Sequence, residues 1–197
     1  MTIIDSGHYE RQKFANLVEH GRTLARASFS DCSFTKCAFG EATFSNGAFV
    51  NCLFQGCDLS VVKVPNTNWV NCRFVDSKVI GVDWTRAGGV RSELPLSLAF
   101  EGCNVSYSSF FGLSVGGLVL ERCIAYEVEF GEADLSDGVF TGTDFQGSTF
   151  HHTNLSRADL SGAENYSIDP MANTVKQAIF SLPEAVSLLR GFDVILR

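Results

Sequence analysis

Ala133-Asp134-Leu135-Ser136-Asp137 and, further on, Ala158-Asp159-Leu160-Ser161-Gly162 carry one five-residue pattern: small, polar, large apolar, polar, polar. Working outward, a large apolar residue recurs every five positions as Leu24, Phe29, Phe34, Phe39, Phe44, Phe49, Phe54, Leu59, Val64, Trp69, Phe74, Val79 and Trp84. The run reaches Leu94 with one failure, at Gly89, and resumes one residue out of phase at Phe100, continuing through Phe110, Leu120, Phe130, Phe140 and Phe150 to Leu160. With Phe14 included, 14 of the 17 Phe lie on this beat. Small residues lead it by two positions: Ala27, Cys32, Cys37, Ala42, Gly47, Cys52 and Cys57, then Cys103, Cys123, Thr143 and Ala163 after the shift.

Strand geometry turns this period into a fold. Alternate residues of a strand face opposite ways, so the small and the large residue point inward with one polar residue outward between them. The following polar pair breaks the alternation, and the chain must turn there. Like residues twenty apart (Cys32, Cys52 and Cys72; Cys37 and Cys57; Cys103 and Cys123) imply that four units complete one coil. The expected fold is therefore all-β, a right-handed square β-helix of roughly seven to eight coils stacked ~4.8 Å apart. The expected layout is an irregular N-terminal cap over 1–22, repeats over 23–165 with a break near 85–99, and a cap and dimerisation tail over 166–197.

The pattern resembles the pentapeptide-repeat family, and the whole layout resembles the members that protect DNA gyrase: the Qnr quinolone-resistance proteins, the McbG immunity protein and the albicidin-resistance protein. The resemblance to the last rests on Leu59 to Trp84, with Pro65 and Cys72-Arg73-Phe74-Val75-Asp76, and on Asn165-Tyr166-Ser167-Ile168-Asp169 leading into Phe180-Ser181-Leu182-Pro183-Glu184-Ala185. It implies a tail-to-tail homodimer, an acidic rod that mimics duplex DNA, and DNA gyrase as protein partner, in the service of antibiotic resistance. The alternative is a non-catalytic scaffold with a different protein partner.

Two segments depart from the repeat. Thr85 to Pro95 holds Gly88-Gly89, Pro95, Arg86, Arg91 and Glu93, which reads as a bulge or short loop. It is either a tolerated insertion or a contact loop. After the last repeat, Ser181 reads as the N-cap of a helix with Pro183 in its first turn, ending near Gly191, followed by a strand over 193–197. Phe180, Leu182, Leu188, Leu189, Phe192, Val194 and Leu196 either seal the last coil or form a two-fold interface, and the interface is favoured.

Nothing in the sequence reads as catalytic machinery, a cofactor site or a metal site. The seven Cys all fall on the small inward position, where a free thiol packs as a small hydrophobe. His151 and His152 sit on polar positions after Phe150, and adjacent residues of a strand do not converge on one metal. The N-terminus lacks a secretion signal and no apolar run spans a bilayer, so a cytoplasmic protein is expected. The net charge of -7 argues against direct nucleic-acid binding. Its distribution is uneven. No Lys or Arg lies between Cys123 and Ser156, a stretch that carries Glu127, Glu129, Glu132, Asp134, Asp137 and Asp144. These six are expected to form a negative band that a basic protein surface could meet.

Overall fold

The computed structural model describes residues 3–88 and 96–192. It is a parallel β-solenoid of about eight coils. Each coil places a short strand or a single bridge on each of four faces, paired in parallel with its counterpart one coil later, twenty residues on except at the break. On the first face His8–Glu10 pairs Ser28–Ser30, which pairs Ala48–Val50, which pairs Asn68–Val70. The second face runs from Lys13–Ala15 through Ser33–Thr35, Leu53–Gln55, Cys72–Val75 and Leu98–Glu101 to Val119–Glu121. Single bridges such as Ala38 to Asp58 and Asp58 to Lys78 build the third face, and Ser109 to Glu129 to Thr149 belongs to the fourth.

In-register stacking converts the sequence beat into side-chain ladders. On the second face, Phe14, Phe34, Phe54, Phe74 and Phe100 lie ring over ring at 4.9, 4.6, 4.9 and 4.9 Å. On the first, Tyr9, Phe29, Phe49 and Trp69 stack at 5.0, 4.7 and 4.2 Å. The small inward residues do more than leave room. Thr143 Oγ1 accepts from Cys123 N–H one coil earlier at 3.0 Å and donates to the Leu120 carbonyl at 2.6 Å. Ser148 does the same for Val128 N–H and the Ala125 carbonyl. Cys57 and Cys72 aim their thiols at the carbonyls of Phe34 and Phe49, both at 3.3 Å. A small side chain with a donor thus satisfies buried backbone that the ladder leaves open.

The corners explain the variable pair. At most corners the second residue after the central one adopts a left-handed φ, whether it is Asn16, Asp31, Lys36, Gly56, Glu127 or Arg157; Arg86, in a 3-10 turn, does not. Most polar side chains pay a modest cost there, but Val61, at φ 57, is the β-branched exception among the described corners.

Three expectations change. Residues 1–22 are not an irregular cap: Tyr9 and Phe14 are rungs of the first-face and second-face ladders. Glu19 takes a core position, 4% exposed, and is held by Arg22 at 2.5 Å, while Arg22 also donates to the Ile3 carbonyl. That ion pair plugs the first coil. At the other end the coil outlasts residue 165, because Ile179–Phe180 still pairs Asp159–Leu160. At the break, Phe74 pairs Phe100, an offset of twenty-six where the ladder elsewhere runs at twenty. The gain is one residue within the five-residue phase but six along the chain.

The tail is a 3-10 helix, Glu184–Phe192. Ser181 does not cap it. The Ser181 hydroxyl instead accepts from Gly162 N–H on the preceding coil at 2.6 Å, and its carbonyl takes Ala185 N–H. The expected strand at 193–197 lies outside the described residues.

Candidate partner-binding surface

The six carboxylates expected to form a band sit on different sides of the coil. Glu129 points outward from the fourth face and Asp134 from the first, while Asp144 belongs to the third. Glu127, Glu132 and Asp137 occupy left-handed corners, at φ 51, 59 and 57. Following the chain from Glu127 to Asp137, acidic groups appear at corner, face, corner, face and corner. The structure brings them together as a girdle around the coil, not as a stripe along one face.

Their electrostatic states differ. Asp137 receives a two-pronged bond from Arg157, one coil later, at 2.6 and 2.5 Å. That hydrogen bond holds its carboxyl below the usual carboxylate range. Arg157 lies just past the basic-free stretch, so the ladder delivers a cation that linear reading leaves out. Asp134 caps Ser136 N–H and accepts from Asn154 Nδ2 at 2.9 Å. Asp144 accepts from Tyr126 Oη, Gln146 N–H and Asn165 Nδ2. Glu129 accepts from Ser109 Oγ. Glu127 and Glu132 are exposed, and their carboxylates make no hydrogen bond or ion pair among the described residues. Five of the six therefore keep an unneutralised charge, and the two bare glutamates flank Glu129.

The tail divides its apolar residues between two tasks. Phe180 packs on Tyr166 at 5.7 Å, and Phe180 and Leu188 both lie against the core. Leu182 at 79%, Phe192 at 50% and Leu189 at 38% exposure face outward, joined by Ile179 and Val186. Val194 and Leu196 lie outside the described residues. At the break, Arg86 is exposed and ends the 3-10 turn Trp84–Arg86, whose N-terminus Asp83 caps through Thr85. Arg91 and Glu93 also lie outside the described residues.

Comparison with known families agrees with this geometry. The pentapeptide repeat region profile matches residues 27–110, and the profile of eight pentapeptide-repeat copies matches residues 119–163. The chain belongs to the pentapeptide-repeat family. Among solved structures, the pentapeptide-repeat coil is similar to a trypsin-treated variant of QnrB1, a plasmid-mediated fluoroquinolone resistance protein. The TM-score is 0.64 at 18% identity, over 97% of this chain and 100% of the other. It is also similar to HetL, a pentapeptide repeat protein involved in heterocyst differentiation regulation from the cyanobacterium Nostoc sp.. There the TM-score is 0.52 at 14% identity, covering 86% and 85% of the two chains. At these identities the likeness is one of fold. Among curated proteins no match was found. Among the described residues no helix is long and apolar enough to cross a membrane.

Proposed function

We propose that this pentapeptide-repeat protein binds DNA gyrase through its acidic girdle and protects it from a topoisomerase-poisoning antibiotic or toxin. The observation that carries the reading is the set of five unneutralised carboxylates wrapped around one narrow coil. A rod of this kind offers negative charge on several sides at once, as a duplex does. Complementary charge of that sort speeds encounter and fixes orientation against a basic saddle. Charge density limits the mimicry. Duplex DNA carries a charge about every 1.7 Å, so a stack of this length would need roughly twenty. The chain has a net charge of -7. Width and particular contacts must supply the remainder of the affinity.

Dimerisation belongs to the same proposal. Leu182, Leu189 and Phe192 present an exposed apolar surface beyond the last coil. Two copies meeting there bury that surface and place the two girdles near the middle of a longer rod.

A supercoiling assay with purified gyrase tests the proposal, titrating the protein with and without a quinolone or albicidin. Rescue of supercoiling supports it. The decisive variant is Glu127→Lys with Glu129→Lys and Glu132→Lys. Asp134 is left intact because it holds Ser136 and Asn154 in place. Corner lysines are tolerated, as Lys36 shows. A folded triple variant that still rescues gyrase refutes the charge argument. Failure of the parent protein to affect gyrase leaves the reading as a scaffold for a different protein partner.

A further inference from the structure

A concave surface lies on the fourth face two coils before Glu129, where that face meets the corner that precedes it. Val61, Lys63, Val64, Pro65, Gly81, Asp83 and Arg86 line a groove of about 340 Å3. That volume is at the lower end of what small-molecule sites enclose. Three features set it apart from the rest of the outer surface.

Its wall is apolar where the repeat is ordinarily polar. Val61 is 51% exposed, and Pro65 replaces an outward polar residue. Gly81, stacked on Val61, has no side chain to fill the space, and a methyl there would lie 3.7 Å from Val61 Cγ2. Val61 also holds a left-handed φ of 57, which β-branched residues avoid. Asn46, Asn66 and Gly56 show what the corner accepts without that cost. Strain retained at a groove wall is the signature of a site.

The groove's charge runs against that of the chain. Lys63 and Arg86 line it, and neither makes an ion pair among the described residues. The lining holds one anion, Asp83, whose Oδ1 accepts from Thr85 N–H and Thr85 Oγ1 and which keeps its charge. Two cations against one carboxylate leave the groove positive beside an apolar wall, in an acidic protein.

We infer that this groove binds a small amphiphilic acid, its carboxylate between Lys63 and Arg86 and its apolar body against Val61 and Pro65. The inference is independent of the gyrase reading, since it uses none of the girdle residues.

The test is a titration of the full-length, 15N-labelled protein with octanoate, and in parallel with octanol and octylamine, followed by amide chemical shifts. Octanoate is expected to shift amides of 61–64, 81 and 86 saturably and ahead of both analogues. Lys63→Ala with Arg86→Ala is expected to weaken octanoate about fivefold and leave octanol unchanged. Val61→Asn is expected to raise the melting temperature while weakening octanoate, which separates lost contact from lost fold. Equal response to octylamine, shifts confined to other regions, or no saturation up to the solubility limit of octanoate each overturn the assignment. So does tighter binding of a short Leu-Glu peptide at the same amides, which makes the groove a peptide-docking surface instead.

Discussion

Replacing Phe54 by Ala tests the ladder picture where it is most exposed to failure. Phe54 is fully buried, with Phe34 at 4.6 Å on one side and Phe74 at 4.9 Å on the other, both rings nearly parallel to it. Burying a Phe side chain and leaving a cavity in its place is worth about 3–5 kcal/mol. Within that figure, each aromatic pair contributes about 0.5–1.5 kcal/mol beyond area. An interior rung loses two such pairs; Phe14, whose one same-face ring partner is Phe34, loses one. Because stability in a stacked array sums over neighbouring interfaces, Phe54→Ala should cost more than Phe14→Ala by about 1 kcal/mol. For a chain of this size the larger loss lowers the melting temperature by roughly 6–20 °C. Guanidinium unfolding followed by circular dichroism and by fluorescence of Trp69, 5.9 Å from Phe54, reads both quantities. A cost below ~1 kcal/mol for Phe54→Ala, or a larger cost for Phe14→Ala, refutes the argument.

Three further outcomes are expected. Thr143→Val strands the Cys123 N–H and the Leu120 carbonyl and should cost roughly 2–4 kcal/mol, while Thr143→Ser keeps both bonds and stays within about 1 kcal/mol of the parent, as chemical unfolding will show. Burial pushes the thiols of Cys52 and Cys123 up to about 12 and that of Cys103 to about 11. These three should resist an aromatic disulfide reagent at pH 8 in the folded protein and react once it is denatured, as absorbance will report. The lowered carboxyl of Asp137 contributes stability that is present above the ordinary aspartate value of 3.8 and is lost as pH falls through the lower folded value. Asp137→Asn should therefore flatten the acid limb of the melting temperature against pH, and an unchanged limb rules out this pair as a contributor.

The fold was legible because two of every five side chains face a narrow interior, so Phe29, Phe34 and Cys32 could hardly vary in kind. The ends were harder. Tyr9 lies on the beat five residues before Phe14, but Glu19 interrupts the pattern, and a polar group at a core position reads as its failure. The ion pair with Arg22 makes that position work. Beyond residue 165 the apolar beat falters at Asn165 and Pro170, yet the coil continues. Backbone bonds such as Ile179 N–H to the Ala158 carbonyl do not depend on side-chain type. The candidate surface was legible only as composition. Linear order named six acids but could not place them around the coil, nor foresee that Arg157 returns above Asp137. The groove left no signal of its own, since Val61 and Pro65 are ordinary letters until a corner holds one and a face the other.

The parallel register of the stack also constrains how such a molecule can change length. A segment of twenty residues can be added or removed and every remaining strand still meets a partner in phase. Any other number breaks that spacing, as the offset of twenty-six between Phe74 and Phe100 records against twenty between Phe54 and Phe74. The rod is thus adjustable in whole steps of ~4.8 Å, like a ruler cut only at its marks. A partner that reads its length meets one of a few discrete values.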